Sequence, residues 1–194
     1  MPIDLPPFMW PATQQVVQRD AQQKEIPNDL VPETSERELA ANPISPYKNT
    51  GEDKIRFTKD MYKMGLDLGL KPEAAKAFVA QKALESAWGT KLAAPYNFGG
   101  TKARPGEDYK IALTTEEENG KVKKVKAKFV SLKSAEDYKN RMQELFQLDR
   151  YKKAKEANTY SDYVDGMVAG GYATDSKYKQ KLQAFKQSVE KRLK

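Results

Sequence analysis

Glu85, in the run Ala83-Leu84-Glu85-Ser86-Ala87-Trp88-Gly89, stands where proton chemistry is best supported. On a helix of about 3.6 residues per turn it falls two turns after Phe78 and just before Trp88, so one inward face would carry all three. A carboxyl held against an aromatic in poorly hydrated surroundings has its pKa raised. It then stays protonated near neutral pH and can pass that proton to a leaving oxygen. A lone helical glutamate is by default a solvated surface charge, and Lys82, almost one turn earlier, could pair with Glu85 and lower its pKa instead. Spacing alone leaves both readings open.

The 194 residues include no cysteine and no histidine. Disulfides, thiolate or imidazole zinc sites, and Ser-His-Asp or Cys-His nucleophiles are therefore excluded, which leaves carboxylates, Tyr, Lys and Ser for chemistry at neutral pH. A Ser-Lys hydrolase stays formally open, although no motif for one is visible. No cofactor or metal is expected, and any hydrolase here should work through carboxylates.

The elements that must position these groups can be read from pattern. Eight of the 11 prolines fall within residues 1–46, and residues 1–50 carry four basic against seven acidic side chains, leaving 30 basic and 20 acidic in the remainder. The shift in proline content and charge puts a boundary near residue 50. It separates a Pro-rich arm, either disordered or docking on a partner through Leu5, Phe8, Met9 and Trp10, from one domain over 51–194.

Ile55, Met61, Tyr62, Gly65, Leu66 and Leu68 predict a first helix stopping at Gly69, and Pro72 opens a second that runs to Trp88 and ends at Gly89. Residues 93–106 read as loop, broken by Pro95, Gly99-Gly100 and Pro105. Strict alternation in Lys124-Val125-Lys126-Ala127-Lys128-Phe129, with Asn119-Gly120 before it, predicts a β-hairpin over 109–130. Ser134-Ala135-Glu136-Asp137 caps a third helix bearing Tyr138, Met142, Leu145, Phe146 and Leu148. Further helices follow, interrupted at Gly170-Gly171, with the last over about 176–193. The expected fold class is mainly α with a small β-hairpin lobe between the second and third helices. Most tyrosines are read as core or rim; Tyr172, after the Gly-Gly break, and Tyr151 are singled out as site candidates.

Four blocks in order carry a resemblance: Ala83 to Gly89, then Asn97-Phe98-Gly99-Gly100-Thr101-Lys102, then Thr114-Thr115-Glu116, then Gly171-Tyr172-Ala173-Thr174-Asp175 with Tyr178 and Leu182. Together, over about residues 55–185, they closely resemble glycoside hydrolase family 73, the FlgJ-like peptidoglycan N-acetylglucosaminidases. The resemblance implies a lysozyme-like fold, with Glu85 as general acid, Glu116 on the hairpin as second carboxylate and Tyr172 lining the site opposite Glu85. It also implies that Trp88, Asn97 and Phe98 line the sugar groove, and that Gly99, Lys102 and Asp175 contribute to substrate binding. Members cut the β-1,4 bond on the reducing side of N-acetylglucosamine, while some relatives act as muramidases on the neighbouring linkage. Two departures stand out. Thr101 replaces the usual aliphatic residue before Lys102, and Glu117 and Glu118 crowd Glu116.

A net charge of +7 for the chain, concentrated in its second part, would attract a polyanion. Anionic peptidoglycan fits as well as nucleic acid does, and no nucleic-acid motif is present. The N-terminus shows neither the basic nor the apolar region of a Sec signal, and no stretch is long and apolar enough to span a membrane. The expectation is an enzyme acting in the cell wall but delivered by a phage particle or secretion machine through its arm. The rival is a catalytically inactive structural component of such an assembly.

Overall fold

The computed structural model describes residues 45–118, 121–173 and 175–194, without the side chains of 115–118, 121 and 122. The arm expected over residues 1–50 therefore lies almost wholly outside the described residues, as does the Asn119-Gly120 turn. Helices α1 (Gly51–Asp67) and α2 (Pro72–Ser86) come first, then strands β1 (Tyr109–Glu118) and β2 (Lys121–Val130). Helix α3 (Ala135–Phe146) follows, and a 3-10 turn at Asp149–Tyr151 leads into the short α4 (Lys152–Lys155). Helices α5 (Tyr160–Ala169) and α6 (Tyr178–Leu193) complete the chain. The mainly helical fold with one antiparallel hairpin between the second and third helices is the expected architecture.

Helix α2 is the axle, packed against α1, α5 and α6. Its sequence explains why. Alanines at 74, 75, 77, 80 and 83 are all buried, with no outward polar stripe to hold one side in water, so the helix is covered nearly all round. Small residues also let neighbours come close: a Cβ added to Gly65 of α1 would stand 3.1 Å from that of Ala75. Thr50, Ser134 and Thr159 cap α1, α3 and α5, each accepting a hydrogen bond from the backbone N–H three residues on.

Two departures from the expected pattern occur in the first two helices. On α1 the buried stripe is Phe57, Met61, Met64, Gly65 and Leu68, while Ile55 and Leu66 face outward, because only one stripe can reach α2. Helix α2 ends at Ser86, not Trp88. The backbone turns left-handed at Ala87 (φ 48°), Trp88 (φ 62°) and Gly89 (φ 77°), and the Trp88 N–H closes the helix by donating to Ala83 O at 3.0 Å. Two non-glycine residues held there cost about 1 kcal/mol each, strain placed within three residues of Glu85. Ser86 supports the reversal by donating from Oγ to Lys82 O (2.6 Å) and accepting from the Gly89 N–H (2.8 Å).

The hairpin register runs from Tyr109 opposite Val130 to Glu118 opposite Lys121. Residues 101–103 add a short edge to β2: the Val130 N–H donates to Thr101 O, the Ala103 N–H to Lys128 O, and Lys102 bridges Phe129. Arg141 of α3 grips Glu107 with both terminal nitrogens, at 2.8 and 3.0 Å, tying the start of the hairpin to the helical body.

Candidate active site

The carboxyl end of α2 presents its polar residues to the core. Gln81, Lys82, Glu85 and Ser86 are all fully buried. Four tyrosines, each from a different segment, meet them: Tyr138 on α3, Tyr163 on α5, Tyr172 between α5 and α6, and Tyr178 on α6. Burial pushes the phenols of Tyr138, Tyr163, Tyr172 and Tyr178 well above their ordinary range, and the charge of Glu85 adds to the shift at Tyr138, Tyr172 and Tyr178. All four therefore act as neutral hydroxyls throughout the working pH range.

Glu85 is the expected candidate and lies inside this cluster. Its Oε1 accepts from Tyr178 OH at 3.2 Å. Tyr178 OH accepts in turn from Gln81 Nε2 (3.0 Å), and Gln81 Oε1 accepts from Tyr163 OH (2.8 Å). This chain fixes one oxygen of the carboxyl and the orientation of the phenol that holds it. Gln81 and Tyr163 were not singled out from sequence; a glutamine four residues before the acid, on the same helical face, was the available signal.

Tyr172 reaches the same cluster because α5 ends in a Schellman turn, with Gly171 left-handed (φ 72°) and the Tyr172 N–H on Met167 O at 3.0 Å. Its hydroxyl accepts from Lys82 Nζ and donates to Gly99 O, both at 3.3 Å. Gly99 must be glycine here, since a Cβ would come within 2.5 Å of Tyr138 OH and 3.0 Å of Tyr172 OH. Tyr151 packs edge-on against Tyr172 at 6.3 Å and is fully buried.

The other residues expected in a sugar groove are held by neighbours of their own. Trp88, past the helix end, does not share a helical face with Glu85; it packs against Phe57 and Phe185 with Arg192 over its ring at 4.4 Å. Phe98 is fully buried among Tyr47, Phe57, Tyr96 and Tyr138. Asn97 is also fully buried. Its Nδ2 donates to Thr101 O (2.8 Å) and Val130 O (3.0 Å), and its Oδ1 accepts the Thr101 N–H (2.7 Å). It pins the loop to the base of the hairpin. Asp175 accepts from the Lys177 N–H and pairs with Lys181, shaping the entry to α6. The side chain of Glu116 lies outside the described residues, as does Thr174, while the Glu116 backbone is placed opposite Lys123.

Asn97→Ala removes three buried hydrogen bonds and leaves the Thr101 N–H and Val130 O without that partner, while Thr101 O keeps the Val130 N–H, and is expected to destabilise the domain by about 2–4 kcal/mol. Denaturant unfolding measures this. A loss under about 0.5 kcal/mol would mean that water replaces the amide.

Residues 63–191 match the glucosaminidase family, described as mannosyl-glycoprotein endo-beta-N-acetylglucosaminidase. The chain belongs to this family of glycoside hydrolases. It is 35% identical over 123 residues to the peptidoglycan hydrolase FlgJ of Salmonella typhimurium, spanning 57% of this chain and 38% of FlgJ, well under half that relative's length. The solved glycoside hydrolase domain of the same FlgJ, C-terminally truncated, superposes with TM-score 0.55 at 29% identity, over 71% of this chain and 98% of that one. A peptidoglycan hydrolase mutant from Sphingomonas sp. A1 gives TM-score 0.63 at 28% identity, over 72% and 97%. The fold is thus the lysozyme-like one of these glucosaminidases.

Proposed function

We propose that the protein hydrolyses the β-1,4 glycosidic bond between N-acetylglucosamine and N-acetylmuramic acid in bacterial cell-wall peptidoglycan, with Glu85 as general acid. The observation that carries this is a carboxyl fully buried at the end of the central helix, held at Oε1 by Tyr178, in a chain of the glucosaminidase family. The names of the FlgJ and Sphingomonas relatives support peptidoglycan as substrate. Because Glu85 is covered, the glycan reaches it only when the site opens. Glu85 then gives its proton to the oxygen leaving the anomeric carbon, a water adds to that carbon, and a second carboxylate takes the water's proton.

We assign that second role to Glu116. Strand alternation puts positions 112, 114 and 116 on one face of the hairpin, and Ala112 and Thr114 are buried against the body of the domain. By the same register position 117 falls on the opposite face, while position 118 shares the face of 116 but is the last pair before the turn, opposite Lys121. The route we propose is inversion, with a water between the two carboxyls; a covalent or acetamido-assisted route is the competitor. Among Glu116→Gln, Glu117→Gln and Glu118→Gln, the first is expected to lose about 100-fold or more in turnover and the others to stay near wild type. Equal losses in all three would remove the assignment.

Mass spectrometry of digested peptidoglycan tests the bond cleaved: reducing-end N-acetylglucosamine supports this reading, and reducing-end N-acetylmuramic acid replaces it with a muramidase. A first-released β-anomer, seen by NMR, would eliminate inversion. We further propose that residues 1–50 dock the enzyme on a phage tail or secretion apparatus, supported by their prolines and reversed charge. Particles whose proteome lacks this chain would remove that placement.

A further inference from the structure

Lys82 takes no part in the chemistry above, yet it is a lysine with no exposure to water. Lysines are rarely fully buried, and those that are usually meet a carboxylate. The partners of Lys82 are of another kind. Its Nζ stands over the rings of Phe78 (4.8 Å), Tyr172 (5.1 Å) and Tyr138 (5.9 Å), with Tyr172 OH at 3.3 Å and Met142 Sδ at 3.8 Å. This is an aromatic cage for a cation, built from α2, α3 and the turn after α5. It lies one helical turn before Glu85, which acts on the ammonium through space.

We propose that Lys82 is a positioning residue for the acid: a caged cation that governs over which pH range Glu85 carries its proton. The inference rests on the acid role assigned above. With the ammonium charged, the Glu85 carboxylate is stabilised and the proton is given up more readily. With the amine neutral, the proton stays on Glu85. Burial drives Lys82 down from 10.5 to about 7, partly opposed by the charge of Glu85, so the switch falls in the physiological range.

The groups facing the pair come from every packed element: Tyr138 on α3, Tyr163 on α5, Tyr172 after it and Tyr178 on α6. All are pushed well above their ordinary range by burial and stay neutral. Those four phenols therefore add no charge that varies over this range, and Lys82 is a titrating cation one helical turn from Glu85. The cage keeps the ammonium against rings instead of in a tight ion pair, which would lock Glu85 as a carboxylate.

The test combines kinetics and NMR. In Lys82→Met, which preserves length and apolar bulk, the basic limb of the kcat/KM profile on peptidoglycan should move up by about one pH unit or more. Plateau kcat should stay within a few-fold. In Lys82→Arg, permanently charged, the limb should move down. Reciprocally, 13C-labelled lysine in Glu85→Gln should show the Lys82 midpoint falling, because its stabilising anion is gone.

A folded Lys82→Met with an unmoved limb overturns the proposal, as does an unmoved Lys82 midpoint in Glu85→Gln. If a Lys82 variant does not fold, the NMR titration decides alone. Full turnover by Glu85→Gln would instead sink the acid assignment, an outcome read separately from these.

Discussion

Glu85→Gln is expected to lower peptidoglycan turnover by about 1000-fold while leaving the fold and substrate affinity near wild type. The amide keeps the size of the carboxyl and can still accept from Tyr178 OH, so the chain through Gln81 to Tyr163 survives. It has no proton to give the leaving oxygen. The result should therefore be a loss in kcat with little change in KM, measured as soluble muropeptide release alongside thermal unfolding. Undiminished release would refute the assigned role, and absence of release from both proteins would favour the structural rival. Where Glu85→Gln is inactive but folded, pull-down on purified sacculi should be unchanged, since the basic surface is untouched.

Lys82→Met should raise stability, and by an amount that depends on pH. The folded protein holds Lys82 at about 7, against 10.5 for an exposed lysine. Between those values the unfolded chain binds a proton that the folded one does not, so wild-type stability from this residue rises as pH climbs from 7 towards 10.5. Below 7 the whole cost of burying the charge is present; above 10.5 it is gone. Replacing the amine with a thioether methyl removes that cost, on the order of 5 kcal/mol at pH 6. The cage's attraction for the cation offsets part of it. Urea unfolding at pH 6 and pH 10 measures both ends. A variant no more stable than wild type at pH 6 would show that the folded protein keeps the ammonium well solvated, and a gain that persists at pH 10 would show that it comes from packing and not from removing a buried charge.

The helices were legible where their ends are made by residues with a single backbone use. Pro72 starts α2, and Gly69 and Gly171 accept left-handed turns, so those punctuation marks translate directly. The hairpin was legible because lysines alternate with apolar residues over six positions. The end of α2 was not, since Ala87 and Trp88 both suit a helix and their side-chain types do not announce the left-handed backbone they adopt. Ile55 and Leu66 help to predict α1 as a helix, yet apolar residues occupy two stripes of it and only packing against α2 chooses which is buried.

Glu85 and Tyr172 are both marked by the motif blocks, and the fold brings them into one buried cluster. Asn97 was marked in the same way, but its side chain serves the loop and the hairpin base, a role that pattern alone does not separate from ligand contact. Lys82 was seen only as a possible ion-pair partner. Beyond Phe78 on its own helix, its cage is made of Tyr138, Met142 and Tyr172, 56 to 90 positions later in the chain, and no local window brings these together.

The left-handed reversal after α2 also gives the protein a built-in optical probe. It carries the indole of Trp88 out of the helix to a site between Phe57 and Phe185, beneath the guanidinium of Arg192. The sequence has two tryptophans, and the other, Trp10, lies outside the described residues. A Trp10→Phe variant therefore has one emitter, three residues from the acid and at the join of the first and last helices. Its ultraviolet fluorescence would follow the end of the central helix in real time as a glycan arrives, with no label attached.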